Sequence, residues 1–262
     1  MVGKLLLRGM LVGLVAGLLT FAFLKVFGEP QVDRAIAFET QMDEAKAQAA
    51  ADAAQAKGLP APPREAEEEI VSRPTQAGIG LFTGVMVYCT AFGGLFALVF
   101  ALCYGRLGDL GPRATAALLA GLGLVAVYIV PNLKYPANPP SVGDPDTIGL
   151  RTGLYFAFMA LSLAATIACA MLRNRLVASQ GRWNATLWAG GAYLAAMIGV
   201  AALMPAVNEV PADFPAVTLW AFRLSSLGAQ VILWTALGLM FGGLTHRVAA
   251  REGVRRLDAA VI

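Results

Sequence analysis

Residues 74–105 read P-T-Q-A-G-I-G-L-F-T-G-V-M-V-Y-C-T-A-F-G-G-L-F-A-L-V-F-A-L-C-Y-G, without one charged side chain. A hydrocarbon core about 30 Å thick needs about 20 apolar helical residues to cross it, so this stretch predicts a transmembrane span. Working outward from charge to charge gives further uncharged windows at 9–24, 114–133, 152–172, 183–208 and 224–245. The shortest, 9–24, is extended by Leu5 to Leu7 before it and by Val26 and Phe27 after Lys25. Arg8 and Lys25 can reach opposite interfaces along their aliphatic stems, so this window counts as a span. The run Ala216 to Trp220 lengthens the last window past Arg223. The expected fold is an all-α integral membrane protein, a single membrane domain over 1–262. It is a bundle of about six transmembrane helices near 5–27, 77–104, 114–131, 152–172, 184–206 and 217–245, with a long helical outer loop at 28–76 between the first two.

Composition agrees. The chain is 58% hydrophobic and 14% charged, with mean hydropathy +0.65, whereas soluble domains carry about 25% charged residues. That excludes a disordered chain, a basic nucleic-acid-binding surface and a small disulfide scaffold; the partner implied is the lipid bilayer, not nucleic acid. Lys4 and Arg8 ahead of an apolar stretch invite a signal-peptide reading. The exit Lys25-Val26-Phe27-Gly28-Glu29 has no small-x-small cleavage site, so a retained anchor is expected.

The few charges are sorted by side. The termini and even-numbered connections hold 11 of the 20 cations but only Asp109, Glu252 and Asp258 among the 17 carboxylates, a face of +8. The opposite face holds the other nine cations and 14 carboxylates, a balance of −5. Basic short connections stay cytoplasmic, which predicts a multi-pass protein of the bacterial inner membrane with both termini inside and the acidic loops outside.

The outer segment 28–76 differs from the rest. Its middle, D-E-A-K-A-Q-A-A-A-D-A-A-Q-A-K from Asp43, is rich in the best helix former, and Gly58, Pro60, Pro62 and Pro63 should end that helix. Glu65 and Glu67 to Glu69 follow; they suit a solvated spacer or a weak cation-gathering funnel. The other two outward loops resemble each other. P-N-L-K-Y-P-A-N-P-P-S-V-G-D-P-D starts at Pro131 and P-A-V-N-E-V-P-A-D-F-P at Pro205. Each begins on a proline, carries Asn and carboxylate, and leads into an Arg-bearing helix (Arg151, Arg223). Two parallel hairpin repeats would produce this pattern.

Soluble-style catalysis is poorly served: no H-E-x-x-H, G-x-S-x-G or Gly-Lys-Ser/Thr phosphate loop occurs, so an enzyme is not expected and no catalytic or cofactor-binding residue is assigned. His246 is the single histidine, which excludes a His-built metal site from this chain alone. Cys89 and Cys103 lie 14 residues apart on one helical face, about 21 Å along the axis, and cannot share a metal. The spans hold no carboxylate; their polar side chains are hydroxyls and amides such as Ser162, Thr166, Ser225, Ser226 and Gln230. Those of the last span suit bonding between helices or a wet path. Gly9, Gly13 and Gly17, with the pairs Gly80–Gly84 and Gly238–Gly242, have the four-residue spacing that lets helix backbones approach in lipid. The candidate metal-contacting oxygens therefore lie in the Pro-stiffened outer loops: Asn138, Asp144, Asp146, Asn208, Glu209 and Asp213, with Asn132 nearby. Carboxylate and amide oxygens suit hard or borderline divalent cations. Two of them have local alternatives: Asp144 before Pro145 fits a helix N-cap, and Glu209 a loop-structuring role.

These same loops resemble the CbtA family of predicted cobalt transporter subunits. The resemblance rests on Pro131 to Tyr155, with its L-K-Y-P-A-N-P-P element, on N-E-V-P-A-D-F-P-A-V-T-L-W-A-F-R-L from Asn208, and on the opening L-L-L-R-G-M-L-V-G-L-V-A-G followed by an E-P turn. It covers essentially the whole chain. The resemblance implies uptake of a divalent cation, most of all Co²⁺, with the metal as substrate rather than a tightly bound cofactor. It also implies a small single-span CbtB-like partner bearing the histidines this chain lacks. Two departures stand out: the family is described with five spans, and its outer loop often carries histidine, absent here. The competing reading is a non-transporting structural or assembly subunit of a larger membrane complex.

Overall fold

Five helices long and apolar enough to cross a bilayer make up the computed structural model, which describes residues 2–60, 71–248 and 250. Every regular element among the described residues is helical. The helices are α1 (Val2–Ala56), α2 (Arg73–Cys103), α3 (Pro112–Lys134), α4 (Pro145–Leu203) and α5 (Ala216–Val248). The acidic cluster Glu65 and Glu67–Glu69, the prolines at 62 and 63, and the C-terminal charges from Arg251 onward lie outside the described residues.

Five long helices stand where six separate ones are expected, and the difference lies in α4. The windows 152–172 and 184–206 share this one 59-residue element. Gly181 interrupts it with φ +74° and ψ 166°, a backbone conformation outside the helical region and open essentially only to glycine. The two limbs turn back on each other there. Ser162 and Tyr193 hydroxyls bond at 2.8 Å, Arg173 Nε donates to Thr186 Oγ1 at 2.9 Å, and Phe158 shares a buried cluster with Met197.

Helix α1 also departs from expectation. In place of an E-P turn and a separate outer helix, one helix runs from Val2 to Ala56, ending at Lys57 and Gly58 as the Pro/Gly signal predicts. Pro30 has no N–H, and its ring would collide with the carbonyl four residues earlier. The turn Leu24–Gly28 widens to π geometry just before it, with Glu29 N–H donating to Leu24 O. Pro131 in α3 is met the same way: Leu124–Ile129 is a π turn in which Val130 N–H donates to Val125 O. Side chains from other helices bond a carbonyl at each of these turns, which suits hydrocarbon surroundings. Ser225 Oγ donates to Phe27 O at 2.9 Å, and Tyr155 Oη to Val127 O at 3.4 Å. Ser225 therefore bonds between helices, as does Ser226, which accepts from Tyr128 Oη at 2.8 Å.

The tightest helix contact is α1 on α2, running antiparallel. Any Cβ on Gly9 or Gly93 would strike the other residue's carbonyl oxygen, and one on Gly13 would strike that of Cys89. The expected glycine role holds here and at Gly238 and Gly242, where a Cβ would come within 2.9 Å of Ala120 and Ala116 side chains in α3. It fails at Gly84, which has nothing within 4 Å. Around these contacts α1, α2, α3 and α5 bury one core that includes Val12, Phe96, Phe100, Leu233, Leu237 and Phe241.

Candidate functional site

Two Pro-rich connections meet at one end of the bundle. Residues 135–144 link α3 to α4 and residues 204–215 link α4 to α5. Tyr135 Oη donates to Pro205 O at 2.8 Å, tying one to the other. The protruding part of α1 closes a third side, where Ala35 joins Val142 and Phe214 in a small buried cluster. Ser141, held at φ +71°, donates through Oγ to Ala35 O at 3.1 Å and to Glu39 Oε2 at 2.8 Å. Arg73 at the start of α2 braces the same helix through Glu29 and Asp33.

Between these walls lies a cleft of about 700 Å³. Its charged lining comprises Glu39, Arg151, Glu209 and Arg223, among prolines, Val142, Val207 and the rings of Tyr135 and Tyr155. Glu209 is the most connected of them. It accepts from Asp144 N–H at 2.8 Å and from Thr147 Oγ1 at 2.8 Å, and its Oε2 lies 3.2 Å from Arg151 Nε. The Arg151 contact is an ion pair without hydrogen-bond alignment, and the Nε proton has no acceptor among the described residues. The Asp144 N–H bond above all, then the Thr147 hydroxyl and the Arg151 charge, hold the Glu209 carboxyl below its ordinary range. Arg151 also donates to Asp144 O at 3.0 Å. Its guanidinium occupies the space beside Gly143, where φ is +115° and a Cβ would collide with it. Across the cleft, Arg223 donates to Ala137 O at 3.2 Å and to Asn138 Oδ1 at 2.9 Å.

The six oxygen-bearing candidates thus separate. Asn138, Asn208 and Glu209 line the cleft. Asp144 sits beside it as the N-cap that its place before Pro145 predicts, accepting from Asp146 N–H at 2.9 Å. Asp146 and Asp213 are exposed outside the lining. Among the described residues, no three His, Cys, Asp or Glu side chains gather as a metal-holding group. Sequence reasoning passed over Arg151 and Arg223 as site residues. The available signal was a cation at the start of each helix following a Pro-rich loop, in spans otherwise free of charge.

A family model described as "Probable cobalt transporter subunit (CbtA)" matches residues 2–246. Comparison with curated proteins and with solved structures gives no match.

Proposed function

Since this chain belongs to the CbtA family of probable cobalt transporter subunits, we propose that it is the membrane subunit through which a divalent metal, most of all cobalt, is taken up. The observation that carries this reading is the convergence of both Pro-rich connections on one cleft, with Asn138, Asn208 and Glu209 in its wall. The acidic loops, carrying Asp144, Asp146 and Asp213, gather cations at that face, which the charge distribution assigns to the outside. Below the cleft the interior offers hydroxyls and carbonyls rather than carboxylates. Tyr155 both lines the cleft and bonds Val127 O, and Tyr128 and Ser226 pair in the same bundle. The α1–α2 seam is closed backbone against backbone, so the route lies away from that seam. The membrane potential supplies about 2.3 kcal/mol per charge per 100 mV.

A small single-span partner with histidines completes this route, because the chain has one histidine, His246, at the far end of α5. The two limbs of α4 each cross the bilayer, making six crossings with both termini in the cytoplasm. Radioactive cobalt uptake into cells producing the chain with that partner is the test. Uptake above that of cells with either protein alone is expected; background uptake with both present would overturn the reading.

A further inference from the structure

Arg223 stands apart from every other charge in the cleft. Arg151 and Glu209 answer each other at 3.2 Å, and Glu39, at the exposed rim, is engaged by Ser141. Arg223 is part-buried and bonds only neutral oxygens, those of Ala137 and Asn138; among the described residues no carboxylate lies within ion-pair distance of it. A guanidinium has five N–H donors, and these two bonds leave the others, with a full positive charge, to the cleft that Arg223 lines. A planar fork of this kind matches a carboxylate two bonds at a time.

The rest of the cleft points the same way. Its volume, about 700 Å³, falls in the range of about 300–1,000 Å³ that holds organic ligands. Its walls set prolines, valines and two tyrosine rings among eight polar or charged side chains of both signs, a mixed lining that suits a polar organic ligand better than an oxygen cage around a bare ion. Glu209, the lining carboxylate nearest the centre of the hydrogen-bond network, is already held by Asp144, Thr147 and Arg151.

We propose that the cleft captures its metal as a chelate of a small polycarboxylate, with Arg223 receiving a ligand carboxylate and Asn208 and Tyr155 contacting the organic part, the divalent cation alone passing on down the route while the ligand stays outside. This rests on the uptake reading above and names its substrate class. No bond to carbon is made or broken; the step is capture.

The test is binding to the purified full-length chain in detergent, using citrate alone, Co²⁺ alone and their one-to-one complex. Citrate and the complex should each bind, and Co²⁺ alone should bind more weakly than the complex. Arg223→Gln should weaken binding of the complex by about tenfold or more, and Arg223→Lys, which keeps charge but not the fork, should weaken it less. Arg223→Lys carries the test if the Gln variant fails to fold. Equal binding of the complex by wild type and the folded variants, or tighter binding of Co²⁺ alone, would overturn the proposal. Uptake separates the two readings. Chelate binding that depends on Arg223 without cobalt entering cells sinks transport and keeps the site. Uptake of aqueous cobalt that Arg223→Gln leaves unchanged, with no chelate binding, sinks the site and keeps transport.

Discussion

Glu209 joins three kinds of partner: a backbone N–H, a hydroxyl and a guanidinium. Its carboxyl is held below the ordinary value of 4.5, so the folded state binds a proton there less readily than the unfolded chain does. The resulting stability is complete above the unfolded value and is lost as pH falls through the lower folded value. Glu209→Gln should therefore lower the melting temperature at neutral pH. The gap to wild type should close only below about pH 4.5, which a pH series of thermal melts in detergent will show. A gap independent of pH would show that the charge does not matter. The sequence made Glu209 and Asp144 visible because carboxylates are rare in this chain, and it placed Asp144 as a cap because proline follows it. It did not reveal that the backbone of one loop would bond the side chain of the other across 65 positions. Pairings at that separation are set by how the helices pack, which local pattern does not encode.

At the scale of elements, glycine spacing alone was an incomplete guide. Gly9, Gly13, Gly80 and Gly84 carry the same spacing, yet only the first two lie against another backbone. Gly93→Val should destabilise the α1–α2 pair by about 1–3 kcal/mol through overpacking. Gly84→Ala should cause no loss, because nothing lies within 4 Å of its added carbon. Unfolding of both variants in the same detergent checks the contrast. Gly181→Ala should cost about 1–3 kcal/mol, the strain of a side chain in a region open essentially only to glycine, and should loosen the Ser162–Tyr193 contact. Hydrogen exchange in the two limbs of α4 will report that loosening. The charge-free windows located every apolar stretch. They did not show that α1 continues through Pro30, since the π turn that accommodates a proline has no sequence marker beyond the proline itself.

For the whole molecule, the deciding matter is how α4 meets the membrane. If both limbs cross, Asp109 and Ser179 lie on the side of the N-terminus and Ser141 and Asp213 on the other. Single cysteines at these four positions, treated from outside intact cells with an impermeant thiol reagent, should react at 141 and 213 only. Reaction at 179 would mean that α4 does not return across the bilayer. The sorting of charge by side predicts this arrangement; the cleft became visible only when both loops were seen to meet.

Helix α1 forms one wall of that cleft near Ala35 and Glu39, yet continues to Ala56. Seventeen residues of unbroken helix beyond Glu39 amount to about 25 Å. The π turn at Leu24–Gly28 lies at its base, close to where Ser225 grips Phe27 O. The bonds that tie this helix to Ser141 of the cleft, at Ala35 and Glu39, fall within the first eleven of its 28 residues past that widened turn, so the helix is moored at its foot and its upper reach stands clear of the cleft.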